Sequence, residues 1–149
     1  MSERASITIH TDGACLGNPG PGGYGVVVLR GAKRVELSAG FRHTTNNRME
    51  ILAAIIALES LEPGACAVLH SDSRLLVDGI EKGWAARWRK NGWMRNKNER
   101  AINPDLWGRL LAACEPRKVT FRWVKGHAGN RENERCDVLA NEAASERWA

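Results

Sequence analysis

Four carboxylates stand in segments that folding could bring to one place: Asp12, Glu50, Asp72 and Asp137. Asp12 ends the alternating run Ile7 to Thr11 and is followed at once by glycine. Glu50 falls in the first turns of a long apolar helix, Asp72 closes the apolar run Ala67 to Ser71, and Asp137 sits within the helical stretch Glu134 to Ala140. Acids in such places suit a hard divalent cation better than a solvated surface, and an all-oxygen ligand set selects magnesium or manganese over zinc. Without a cation, each close pair repels by about 4 kcal/mol at an effective dielectric of about 20. Plainer readings exist for each acid. Asp12 before Gly13 could serve a turn, Asp72 before Ser73 could cap a helix, Glu50 could be an exposed helix acid, and Asp137 could pair with Arg131 or Arg135. Four separate coincidences are a weaker account than one shared site.

The placement of charge supports the shared site. The 149-residue chain carries a net charge of +5, and Lys82, Arg87, Arg89, Lys90, Arg95, Lys97 and Arg100 stand together against Glu99 alone. Trp84, Trp88 and Trp93 interleave with these cations. A concentrated basic block of this kind fits a polyanion surface. For Trp88 and Trp93 the favoured role is packing that fixes the segment.

Other chemistries are poorly represented. His127 lies among glycines and suits proton transfer near neutral pH, whereas His10, His43 and His70 receive no chemical role. Cys15, Cys66, Cys114 and Cys136 form no C-x-x-C pair, which argues against zinc knuckles, redox dithiols and a disulfide framework. No P-loop, G-x-S-x-G or H-E-x-x-H pattern occurs. No apolar window reaches membrane-span length and Met1 to Arg4 does not resemble a secretory signal, so a cytoplasmic protein is expected.

The elements that must position the acids follow from periodicity. Strands are expected at Ala5–Thr11, Tyr24–Arg30, Val35–Phe41, Ala67–Ser71 and Val119–Val124, with a turn-rich loop from Asp12 to Gly23. A helix capped within Thr44–Asn47 runs to about Leu61, where Pro63-Gly64 stops it. Ser73 caps a short helix through Ile80, Trp84 to Asn98 reads as a short helix plus a projecting loop, and Asn103-Pro104 opens a further helix. A last helix spans about Glu132 to Arg147. Hairpins followed by crossovers give an α/β (mixed α+β) fold, a mixed sheet of about five strands with helices packed on it. One domain, residues 1–149, is expected, with a basic protrusion at about 82–103.

Several blocks then resemble a known family. Asp12 to Gly25, Thr44 to Glu50, Ser71-Asp72-Ser73, Trp123 to Gly129 and Glu132 to Asp137 are similar, in order, to the signatures of bacterial type 1 ribonuclease H. The resemblance implies a ribonuclease H-like fold and hydrolysis of the RNA strand of RNA–DNA hybrids to 5′-phosphate and 3′-hydroxyl ends. It implies two Mg2+ ions, with Mn2+ as a substitute, on Asp12, Glu50, Asp72 and Asp137, and an assisting role for His127. It implies groove contacts from Asn18, Asn46 and Asn47 with backbone at Cys15 and Gly17, and a DNA-strand phosphate on Thr45 and Asn103. Trp84 with Arg87, Arg89 and Lys90 would hold the DNA strand. A monomer without an obligate protein partner is implied. Two departures stand out: Arg74 replaces a glutamine, and Asn130-Arg131 replaces a His-Pro pair. Rival readings are a DNA-cutting nuclease of the same fold and a hybrid-binding module without catalysis.

Overall fold

Runs of β-branched residues pair into a meander before the chain turns helical. The computed structural model describes residues 6–126 and 129–146. Its elements are β1 (Ile7–Cys15), β2 (Gly20–Arg30), β3 (Lys33–Thr44), α1 (Asn46–Glu59), β4 (Cys66–Ser71), α2 (Arg74–Glu81), α3 (Trp84–Lys90), α4 (Pro104–Cys114), β5 (Lys118–Trp123) and α5 (Arg131–Ser145). The five strands lie in the order β3-β2-β1-β4-β5. β1–β2 and β2–β3 pair antiparallel, while β1–β4 and β4–β5 pair parallel through helical crossovers. The mixed sheet and the element order match the sequence reading.

Each face of the sheet has its own cover. Ile7, Ile9, Val26, Leu69 and Phe121 join Ile51, Ile55 and Leu58 of α1, with Trp107 and Leu110 of α4 behind them, in the main core. On the opposite face Val27 packs with Cys136 and Leu139 of α5. β2 is therefore buried on both sides, as its unbroken apolar run requires. Between sheet and α4, α1 is apolar nearly all round, and each fully buried Leu or Ile there contributes about 1.5–3 kcal/mol.

Several expected boundaries move. The glycine-rich stretch after Asp12 is strand rather than loop: β1 runs on to Cys15, facing Gly22 of β2, and the connecting loop covers only residues 16–19. Those glycines are paired in a ladder instead of turning the chain. Asn103 is not a side-chain cap of α4. It adopts φ 60°, ψ 45° and makes no capping bond, although Pro104 does open the helix. Trp88 and Trp93 pack on the main core, Trp88 edge-on to Trp107 at 5.8 Å, so they fix the basic segment as expected. None of the described helices is long and apolar enough to cross a membrane.

Candidate active site

The parallel ladder between β1 and β4 ends at His10 opposite His70. Two residues further along each strand direction stand Asp12 and Asp72, at equivalent levels beyond the last rung. Open sheets place ligands at such strand ends. Asp12 is still held in register, opposite Gly25 of β2. Two close approaches bring the other acids in. A Cβ on Gly13 would stand 2.7 Å from the Glu50 backbone nitrogen, so the bare glycine lets α1 press its first turns against β1. A Cβ on Gly25 would collide with the Cys136 carbonyl, and its absence lets α5 lie close over β2 and carry Asp137 towards Asp12.

Carboxylate oxygens of Asp12, Glu50 and Asp72 lie within 4.8 Å of one another. Asp137 stands outside that triad, but its charge acts on Asp12. Burial, with the Asp72 and Asp137 charges behind it, pushes the Asp12 carboxyl from 3.8 up to about 8, against the lowering effect of the Gly13 N–H that donates to Oδ1 at 2.9 Å. Burial, then Asp12 and Asp72, raises Glu50 well above its ordinary value. Glu50 Oε1 is buried with no hydrogen-bond partner. An oxygen that has lost water and gained no donor fits a cation ligand. The donor set is all oxygen and anionic, so the acidic triad can coordinate a hard divalent metal.

The plainer readings of Asp72 as a cap, Asp137 as a partner of Arg135 and Glu50 as an exposed acid all fail. Ser73, not Asp72, caps α2, accepting from the Leu76 N–H at 3.2 Å. Arg135 pairs with Glu36 at 2.8 Å rather than with Asp137. Glu50 is partly buried, not a surface acid.

A family model described as RNase H matches residues 4–145. The chain belongs to the ribonuclease H family. Ribonuclease H of Syntrophus aciditrophicus is 64% identical over 138 residues, 93% of this chain and 80% of that protein. Ribonuclease HI of Synechocystis sp. is 60% identical over 136 residues, covering 91% and 85%. Among solved structures, LC9-RNase H1, a type 1 RNase H with the type 2 active-site motif, superposes with a TM-score of 0.84 at 33% identity, covering 97% of this chain and 74% of that one. LC11-RNase H1 in complex with RNA/DNA hybrid gives a TM-score of 0.69 at 27% identity, covering 93% and 96%. The protein is thus a metal-dependent endoribonuclease of the ribonuclease HI type, and it hydrolyses the RNA strand of RNA–DNA hybrids.

The remaining residues expected from the ribonuclease H resemblance fall into groups. The Cys15 thiol donates to the Gly17 carbonyl at 2.7 Å, and Asn18 Oδ1 accepts from the Asn46 N–H at 3.2 Å, which ties the β1–β2 loop to the start of α1. Asn46 and Asn47 are exposed there. Thr45 caps α1, and Asn103 is joined to α1 through Arg48. Trp84, Arg87, Arg89 and Lys90 occupy α3, with Arg89 paired to Glu115 at 3.3 Å. His127 lies outside the described residues. Of the two departures, Asn130 caps α5 by accepting from the Glu132 and Asn133 N–H groups, and Arg74 lies 4.0 Å over the Trp123 ring. Trp123 in turn donates from Nε1 to the Asp72 carbonyl at 3.1 Å. One contact of the acid group went unread in the sequence: the Asn141 amide donates to Asp137 Oδ1 at 3.1 Å and to its carbonyl at 2.9 Å. Its spacing of four from Asp137 on a helix was the available signal.

Proposed function

We propose that Asp12, Glu50, Asp72 and Asp137 hold two magnesium ions, with manganese able to substitute, at the scissile phosphate of an RNA–DNA hybrid. When bound, such ions supply Lewis acidity for the attacking water and offset charge on the leaving 3′ oxygen. The chain's own part is positioning. Asp12 would be a ligand at the middle of the acid group, where the charges of both Asp72 and Asp137 act on it. Asn141 holds the Asp137 carboxylate in one orientation, and Gly13 keeps Glu50 against the strand. His127 assists proton transfer or product departure.

Substrate choice belongs to other groups. Asn18, Asn46 and Asn47, with the backbone at Cys15 and Gly17, read the minor groove and the 2′-hydroxyls that mark the RNA strand. Thr45 and Asn103 take a DNA-strand phosphate, and Trp84 with Arg87, Arg89 and Lys90 holds the DNA strand further along through salt-sensitive contacts. The similar LC11-RNase H1 has been solved with RNA/DNA hybrid, which supports this reading. The basic segment acts as a protrusion of one ribonuclease H domain, in a cytoplasmic monomer that needs no obligate protein partner.

The observation that carries the proposal is the convergence of Asp12, Glu50 and Asp72 oxygens within 4.8 Å, one of them orphaned and buried. A cleavage assay tests it with hybrid, duplex RNA, duplex DNA and single-stranded RNA, each in magnesium and in chelator. Cleavage of the hybrid's RNA strand in magnesium alone is expected. Equal cutting of duplex DNA, or undiminished activity in chelator, contradicts the proposal.

A further inference from the structure

Arg48 occupies the first turn of α1 and reaches in two directions. Its backbone N–H donates to Thr45 Oγ1 at 3.2 Å. Its guanidinium donates to Asn103 Oδ1 at 2.9 Å, and grips Asp105 through bonds of 3.2 and 2.8 Å. Hydroxyl and carboxamide groups are ambivalent, able to donate or accept. Here one residue engages an acceptor on each. A guanidinium can only donate, so the Asn103 amide must turn its oxygen inward and its NH2 outward. The Thr45 hydroxyl, its oxygen engaged by an N–H, likewise keeps its hydrogen for an outside partner. Asn103 holds φ 60° and makes no capping bond, so its side chain is not spent on α4. Asp105 neutralises the guanidinium and lowers its freedom to swing away.

We propose that Arg48 is a positioning residue that converts Thr45 and Asn103 into a donor-only clamp for a phosphate of the DNA strand. The inference rests on the reading above that these two residues hold such a phosphate. Clamp specificity then comes from fixed hydrogens and not from net charge, since the Arg48–Asp105 pair is neutral overall. Asn18, whose oxygen is taken by the Asn46 N–H, is set by the same device on the groove side.

A double-mutant cycle with Arg48→Met and Asn103→Ala tests the coupling. KM and kcat for hybrid cleavage are measured in magnesium, and hybrid Kd in chelator. A hydrogen bond to a charged acceptor is worth roughly one to two factors of ten. Arg48→Met is therefore expected to raise KM and Kd about tenfold with kcat within about twofold. Added to Asn103→Ala, it should raise them less than about twofold further. An equal Arg48 effect with and without Asn103, or a loss confined to kcat, overturns the inference. Asn103→Asp provides an independent arm that keeps the Arg48 bond but removes the outward N–H. Weaker hybrid binding than Asn103→Ala is expected, and wild-type affinity overturns the inference. If Asn103→Ala alone leaves KM and Kd unchanged, the DNA-phosphate reading itself has failed.

Discussion

Replacing Asp12 by asparagine should stabilise the metal-free protein while destroying its activity. The Asp12 carboxyl is raised from 3.8 to about 8 by burial and by neighbouring acids. Its folded-state value lies above the unfolded one, so the folded chain keeps a proton that the unfolded chain has lost. Stability therefore falls as pH rises from about 4 towards about 8, and the penalty is constant above that range. At pH 7 this amounts to a ceiling of about 4 kcal/mol, shared with Glu50 because neighbouring protonation relieves both. Asparagine removes the titration and keeps an oxygen for the Gly13 N–H. Urea denaturation in chelator should show the variant more stable by about 1–4 kcal/mol at pH 8, equivalent to roughly 2–4 °C in Tm per kcal/mol. The gain should shrink towards zero as pH approaches about 4, where carboxyl and amide are both neutral. In saturating magnesium it should disappear or reverse, since only the wild type binds the ion through that residue. A variant that is less stable than the wild type in chelator at pH 8, or equally stabilised at every pH, would refute the reasoning.

Other expectations are more local. Gly13→Ala places a Cβ 2.8 Å from the Met49 side chain and should cost about 1–3 kcal/mol of stability with a large loss of kcat; wild-type urea midpoints would show that the approach is not tight. Asn141→Ala frees the Asp137 carboxylate and should lower kcat about tenfold with KM nearly unchanged, a split that steady-state kinetics resolves. Reversing charge at Arg87, Arg89 and Lys90 should raise KM and reduce the slope of log KM against log salt by about two to three, whereas an unchanged slope would remove α3 from the substrate surface.

Much of this arrangement is legible in local pattern. Apolar runs gave all five strands, and hairpins followed by crossovers gave a mixed sheet; the parallel β1–β4 pairing that sets Asp12 beside Asp72 comes from the structure. Glu50 was visible as an acid on an apolar helix, and Asp137 as an acid within a helical stretch. The glycines were harder. Gly22 and Gly23 look like turn residues, yet they are strand positions, and the need for a bare glycine at Gly25 comes from a helix more than a hundred residues later in the chain. Asn103 before Pro104 has the composition of a cap, but its oxygen is claimed by Arg48 from another helix. Such long-range partners leave no periodic trace. The tryptophans of the basic segment were decided by Trp107, whose ring meets Trp88 edge-on.

The central claim is that separated acids share an ion, and anomalous diffraction from crystals soaked in manganese addresses it most directly. The account expects a manganese peak within about 2.5 Å of oxygens from Asp12, Glu50 and Asp72 together. A fully occupied manganese site elsewhere, with these three carboxylates bound to none, would contradict it.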